Sequence, residues 1–373
     1  MEVWLVMLSV VLPTHSEAAV IEETLRQLSG ILADRDYEIV VVDDGSTDET
    51  PQIVAAYAQG HGRVRLIRKS GKAGAAKAIQ TGVEAARGDI VVTMNADLQH
   101  PADLLPTMLG QVEQGCDIVI ASRYVPHGDA GMSAFRTAVS RTAIMLARLL
   151  FPRVRAIRDP LAGYFMFRKN VAADVKLMPS SSDSRVAIGL KYLLALLVLG
   201  RAARVCEVPC YMRRRHTGRS KFSVWDVGKF ARHLIYLMMN SGEAKRLAIF
   251  CIYGATAFVV YESSLYALTD RLRWHYLVSA VAAWFLAFLW NFLLNDVFTF
   301  AGARKHSARL GRGVRFFGVK VVGLVLHLLI LATLTSLVGL HYLVSAALAV
   351  ALVVAWNYVA SVGFVWGVAG ERH

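Results

Sequence analysis

From residue 247 onward the chain is dominated by four apolar stretches, at about 247–268, 275–296, 316–338 and 341–366. Each reaches the roughly 20 residues that a helix needs to cross a bilayer. A backbone in lipid must satisfy its own polar groups, so stretches of this kind fold as helices. Short turns join the first to the second and the third to the fourth, which makes two hairpins. The second hairpin repeats the first: "YLVSAVAAWFLAFLWNF" (276–292) matches "YLVSAALAVALVVAWNY" (342–358) at nine of 17 positions with one fixed offset. Between them, "AGARKHSARLGRGVR" carries Arg304, Lys305, Arg309, Arg312 and Arg315 and no acid. The positive-inside rule places this loop in the cytoplasm. Two crossings return a chain to its starting side, so the N-terminal half and the C-terminus are expected there too. Asn291 and Asn357 occupy equivalent repeat positions and are expected to bond between helices. Glu262 is costly in lipid and is expected to face a polar cavity or a headgroup.

The first half reads differently. Short β-rich runs at 3–12, 37–42, 64–68, 90–94 and 118–121 alternate with amphipathic segments. Residues 3–12 are too short for a membrane span and read as a buried strand rather than a leader. Ile21, Leu25, Leu28 and Leu32 recur at helical spacing. "STDETP" announces a second helix, with Ser46 and Glu49 fitting a capping box and Pro51 a first turn. "GAAKAIQTGVEAARG" supplies a third. This alternation predicts βαβ units and a parallel sheet, in which ligands bind at the carboxyl ends of the strands. "DDGSTD" and "NADLQHP" fall at such ends.

Further on, "FRTAVSRTAIMLARLLF" and "FSVWDVGKFARHLIYLMM" set basic residues among apolar ones. They are helices packed on the sheet or lying in a bilayer interface, and the second leads directly into a span. The net charge of +13, from 41 Lys and Arg against 28 Asp and Glu, sits largely beside these segments. That favours lipid headgroups and phosphates, and no nucleic acid, as partners. Cys116, Cys206, Cys210 and Cys251 match neither a zinc site nor a disulfide framework and are expected to be reduced thiols.

A carboxylate and an amide two residues apart, as in Asp97 and Gln99, suit a hard cation that keeps its waters and takes few protein oxygens. The tract "MRRRHTGRSK" suits an anion. Gly218 allows a tight bend within it.

The ordered set "LPTHSE", "VVDDGSTDET", "NADLQHP", "ASRY", "RDPLAGYFMFRK" and "EVPCYMRRRHTGRSKFS", over residues 8–223, resembles family 2 glycosyltransferases, and among them the polyprenyl- (dolichyl-) phosphate mannose synthases. The membrane half resembles a GtrA-like four-helix domain. The resemblance implies a nucleotide-binding α/β domain of the GT-A (Rossmann-like) type over 1–221, a juxtamembrane amphipathic helix over 222–246, and four transmembrane helices over 247–373. It implies donor-nucleotide contacts from Pro13, Thr14, Glu17, Asp43, Asn95, Ala96 and Asp97. Asp97 and Gln99 would hold Mg2+ or Mn2+. Arg123, Lys191, Arg215, Ser220 and Lys221 would meet the acceptor phosphate, and Asp97, Arg123, Arg215 and Lys221 would carry catalysis. Asp44 reads as a turn residue, and Lys72 and Lys77 as a solvated helix face rather than phosphate ligands. Asp159 orients an arginine or the acceptor, or else ends a loop before Pro160.

Four positions depart from the family pattern: His15-Ser16 replaces Tyr-Asn, Asn95 replaces Asp, and Ala195 replaces Glu. The reaction implied is inverting transfer of a hexose, mannose from GDP-mannose, to a polyprenyl phosphate. A UDP-sugar donor is the nearest alternative, and a weakly catalytic protein that translocates or escorts a lipid-linked sugar is the more distant one.

Overall fold

The computed structural model describes residues 7–71, 73–129, 131, 133–173, 175, 191–213, 224–301 and 308–367, with backbone alone at 224–226. Two compact units divide between Ser241 and Gly242.

The first unit is built on seven strands: β1 (Leu8–Thr14), β2 (Tyr37–Asp43), β3 (Val64–Arg68), β4 (Ile90–Thr93), β5 (Ile118–Ser122), β6 (Phe165–Arg168) and β7 (Val205–Pro209). They form one sheet in the order β3-β2-β1-β4-β6-β5-β7. The sheet is mixed rather than wholly parallel, because β6 runs antiparallel between β4 and β5. A helix (Ala134–Leu150) and a long loop separate β5 from β6, a connection long enough for either direction, and "YFMFR" enters reversed.

Both faces are covered, as the near-continuous apolar strands require. Alternate strand residues point to opposite sides. Val11, Val40, Val91, Ile120 and Phe165 pack with one layer of helices. Val10, Ile39, Val92, Val119 and Met166 pack with the other. α1 (Ile21–Ile31), α2 (Thr50–Gly60) and α4 (Leu105–Glu113) lie on the second side. α3 (Ala75–Ala85), α5 (Ala134–Leu150), α6 (Tyr192–Leu199) and α7 (Val224–Asn240) contribute to the first. The capping box does not form: α2 starts at Thr50 without a side-chain cap from Glu49. Asp48 takes the Thr50 N–H (3.2 Å) and Oγ1–H (2.6 Å) instead, while Ser46 Oγ accepts the Ser16 N–H at 2.8 Å.

α5 and α7 each bury one stripe and leave large apolar groups on the other. Ile144 and Ala147 are buried in α5, while Phe135, Met145 and Leu146 are exposed. In α7, His233, Leu234 and Leu237 are buried, while Val227, Ile235 and Met239 are exposed. Cys116 and Cys206 are bonded across neighbouring β5 and β7, with Cα atoms 6.1 Å apart, so the expectation of four reduced thiols fails for this pair. The pairing spans 90 residues and depends on strand order, which spacing does not reveal. Cys210 is buried and free, and Cys251 is exposed and free.

The second unit holds α8 (Glu243–Tyr266), α9 (Tyr276–Leu294), α10 (Arg309–Ala332) and α11 (Tyr342–Ala360), each prolonged by a five-residue π-turn. These four helices are long and apolar enough to cross a membrane. The repeat extends over both entire hairpins: every boundary in α8–α9 recurs 66 residues later in α10–α11, π-turns included. His275 and His341 are equivalent N-caps, accepting the N–H of Leu277 and Leu343.

Two details differ from the sequence reading. Arg309, Arg312 and Arg315 belong to α10 rather than to a loop. Asn291 bonds Asn295 on its own helix at 2.6 Å, while Asn357 packs its side chain toward Gly323 of α10, its Oδ1 unbonded among the described residues. Helical i,i+4 spacing brings the first pair together, so the bond needs no neighbouring helix. Glu262 is exposed on the flank of α8.

Candidate active site

In the first three strands the chain moves outward, from β1 to β2 to β3, and then returns to β4 on the other flank of β1. Such a reversal opens a crevice at the carboxyl ends of the strands, where α/β sheets bind ligands. Pro13 and Thr14 close β1 opposite Val42 and Asp43 of β2. Asn95 follows β4 by two residues. Thr24 of α1 ties down the third side by donating to the Ala96 carbonyl at 2.9 Å.

Two non-glycine residues at this rim adopt left-handed backbone angles, Ser16 (φ 59°) and Leu98 (φ 60°). Strained positions of this kind persist where surrounding structure fixes them, and they cluster at sites. Leu98 turns the chain between Asp97 and Gln99, and the Gln99 N–H donates to Asp97 Oδ1 at 3.2 Å. Asp97 is only 3% exposed. The Gln99 amide nitrogen donates toward the Arg213 carbonyl at 3.5 Å, and the Arg213 N–H donates to the Gln99 carbonyl at 2.9 Å. The basic tract therefore begins docked on the "NADLQHP" loop. Arg215, Ser220 and Lys221, with Lys72, lie outside the described residues.

The two acids that close β2 have different roles. Asp44 accepts the N–H groups of Ala73 (2.8 Å) and Gly74 (2.6 Å) and sits 3.6 Å from Lys69, so it holds the start of α3. Asp43 accepts the Ser46 N–H through Oδ1. Among the described residues its buried Oδ2 has no hydrogen bond, and Arg68 lies 4.0 Å away. A buried carboxylate oxygen left in this state is costly until a ligand hydroxyl or N–H reaches it. Glu17, half-buried, fixes the turn into α1 through its carbonyl, which accepts from Val20 and Ile21 at 3.0 Å. Lys77 is half-buried, and burial lowers its pKa.

Beyond Asn95 a cavity of about 320 Å3 runs under the ends of β5 and β6, lined among others by Asn95, His100, Arg123, Gly163, Lys191 and Cys210. Asp159, fully buried, holds Arg123 by a bidentate pair at 2.7 and 2.8 Å and also accepts its backbone N–H. Burial works against the Arg123 charge, but the Asp159 bonds and charge outweigh it and raise its pKa. Glu207 in turn accepts the backbone N–H groups of Arg158 and Asp159. Lys191 caps the start of α6, with its side chain exposed. Cys210 is pushed up to about 11 by burial, against the Arg123 charge, and is a thiol at neutral pH.

His100 belongs to the quoted motif, yet sequence reasoning gave it no role. It is 6% exposed, and burial, with the Arg123 charge behind it, pushes its pKa down to about 3. Its Nδ1 accepts the Asn95 N–H at 2.9 Å.

Among the described residues no group of three or more His, Cys, Asp or Glu could hold a metal alone. One carboxylate and one amide do fit a hard cation that completes its shell with substrate phosphates and water.

A nucleotide-type crevice continuing into a cation-walled cavity, on a chain with four membrane-spanning helices, defines an integral membrane α/β enzyme. The profile of Glycosyl transferase family 2 matches residues 9–175, and that of the GtrA/DPMS transmembrane domain matches residues 249–366. The dolichol-phosphate mannosyltransferase of Pyrococcus furiosus is 33% identical over 96% of this chain and 99% of its own length. That of Saccharomyces cerevisiae is 29% identical over 70% and 97%. An undecaprenyl-phosphate 4-deoxy-4-formamido-L-arabinose transferase of Pseudomonas aeruginosa is 30% identical over 71% and 74%. A solved structure, glucosyl-3-phosphoglycerate synthase of Mycobacterium tuberculosis with Mn2+, UDP and phosphoglyceric acid, aligns at a TM-score of 0.46, with 23% identity over 64% of this chain and 79% of that one. The chain belongs to glycosyltransferase family 2 and carries a GtrA/DPMS membrane domain.

Proposed function

We propose that the protein transfers mannose from GDP-mannose to a polyprenyl phosphate at the cytoplasmic face of the membrane, with inversion at the anomeric carbon. The observation that carries this reading is the cavity shared by Asn95 and the Asp159-fixed Arg123, which adjoins the Asp97–Gln99 turn. It gives one anion-stabilising wall next to a nucleotide crevice. The names of the Pyrococcus and yeast relatives support mannose and dolichyl phosphate, and that of the Pseudomonas relative supports the polyprenyl-phosphate class of acceptor. The arginine-rich segment between the hairpins supports the cytoplasmic orientation.

In this mechanism the nucleotide rests on Pro13, Thr14, Glu17 and Ala96, and the unbonded Asp43 Oδ2 accepts from it. Asp97 and Gln99 would hold a divalent cation, Mg2+ or Mn2+, which would supply Lewis acidity to the departing diphosphate. The acceptor is already an anion, so no strong base is needed. A lipid-phosphate oxygen forms the new bond to the anomeric carbon, and the old carbon–oxygen bond breaks with its electron pair leaving on the nucleotide diphosphate. Arg123 and Lys191, joined by Arg215, Ser220 and Lys221 of the tract that starts at the Gln99 loop, hold two anions close together.

The test is a donor panel in everted membrane vesicles and with purified protein, using labelled GDP-mannose, UDP-glucose and polyprenyl phosphate. GDP-mannose should be used by intact everted vesicles without permeabilisation. Preference for a UDP-sugar would overturn the donor, dependence on permeabilisation would overturn the orientation, and no transfer from any donor would overturn the reaction.

A further inference from the structure

The Asn95 N–H donates to His100 Nδ1, so that nitrogen carries no proton and the ring's proton is on Nε2. The ring is held flat against Tyr164, centroids 5.0 Å apart and planes 16° apart, and Tyr164 is anchored by its Oη donating to the Pro101 carbonyl at 3.1 Å. Nε2 has no bonding partner among the described residues, yet His100 lines the cavity. Residue 163, facing it, is a glycine. A Cβ there would lie 3.5 Å from His100 Cε1, 3.8 Å from Asn95 Oδ1 and 4.0 Å from His100 Nε2. The missing methyl thus leaves open space in front of an N–H donor and an amide oxygen set side by side. Arg123 and Lys191 line the same cavity.

We infer that His100 Nε2–H and Asn95 Oδ1 together read a hydroxyl edge of the transferred hexose, with Gly163 leaving the room for it; this rests on the nucleotide-sugar reading above. A sugar hydroxyl both donates and accepts, so a fixed donor beside a fixed acceptor matches one hydroxyl or a vicinal pair. The pair also gives the amide at position 95 a task of its own. It turns its oxygen to the sugar cavity, while the carboxylate two residues on belongs to the diphosphate end. A site built to bond a hydroxyl discriminates against analogues that lack it, because its own polar groups are then left unpaired.

Two substitutions separate sugar recognition from a purely structural ring. His100→Asn keeps an acceptor for the Asn95 N–H but has nothing at the Nε2 position. His100→Gln keeps a donor near Nε2 but loses the acceptor at Nδ1. Transfer kinetics are measured with the sugar nucleotide and with monodeoxy donors, and binding of the nucleotide diphosphate alone is followed in parallel. Sugar recognition predicts that His100→Asn loses about 10- to 100-fold in kcat/KM and that His100→Gln keeps most of it, with nucleotide-diphosphate binding unchanged in both. At least one deoxy donor should show a matching loss with wild type and no further loss with His100→Asn. Gly163→Ala, whose methyl meets only ordinary contacts, should raise the KM for the sugar nucleotide and leave nucleotide-diphosphate binding alone. The opposite ranking of the two His100 variants, or losses that add for every deoxy donor, would overturn the inference. Absence of transfer by the wild type would instead overturn the reading beneath it.

Discussion

Asp97 and Asp43 are both buried carboxylates at strand ends, but their surroundings ask different things of them. Asp97 shares a strained turn with Gln99, and in the proposed mechanism its removal takes charge from the place where the leaving group develops its own. Asp97→Ala should therefore cut kcat at least about 100-fold, or about 3 kcal/mol of barrier, as losses of comparable electrostatic stabilisers do. Steady-state kinetics across a Mg2+ and Mn2+ titration check it, and activity within tenfold of wild type would remove Asp97 from its role. The motifs that hold Asp97, Gln99 and Arg123 were visible in the sequence, and of the roles weighed for Asp159 the structure shows the orienting of an arginine. The roles of His100 and Gly163 were not legible, because they depend on a ring nitrogen and a missing methyl meeting across 63 residues of chain.

At the scale of elements, Glu38 joins the strands to the segment that follows α3. Its side chain accepts from Ser9 of β1 (2.7 Å), Arg65 of β3 (2.7 and 3.0 Å) and the Arg87 N–H (2.6 Å). Burial acts to raise its pKa, but these bonds and the Arg65 charge outweigh burial and hold it below the ordinary value of 4.5. The stability it contributes is thus complete above about pH 4.5 and is lost as pH falls through the depressed folded value. Glu38→Gln should lower unfolding free energy by about 2–3 kcal/mol at neutral pH, and the gap to wild type should close in acid. Thermal unfolding in detergent at pH 7 and pH 3.5 measures both, and a gap that widens in acid would contradict the sign. Apolar β-rich runs and helical spacing had located the first five strands and three of the helices between them. They could not show that β6 enters antiparallel, since a buried apolar strand looks alike in either direction.

For the molecule as a whole, the membrane unit is fastened by Asp296. It pairs with Arg312 at 2.7 and 3.1 Å and with Arg309 at 3.3 Å, and it accepts Trp366 Nε1–H at 3.0 Å, drawing α10 and the end of the second hairpin to the end of the first. Both Asp296 and Arg312 are buried. Asp296→Ala alone should destabilise this unit by about 3–5 kcal/mol, whereas replacing both partners with apolar residues of similar size should restore most of the loss. Denaturant titrations of the two singles and the double decide it; a double as unstable as the two singles summed would refute the coupling. The 66-residue repeat that frames this pair also has a topological consequence. Each copy makes two passes, an even number, so copying or deleting a whole copy leaves the flanking chain on the side it already occupied. A unit with one pass, or three, would reverse everything downstream at each duplication. Parity therefore lets this part of the gene expand or contract by whole hairpins while the chain that follows keeps its side of the membrane.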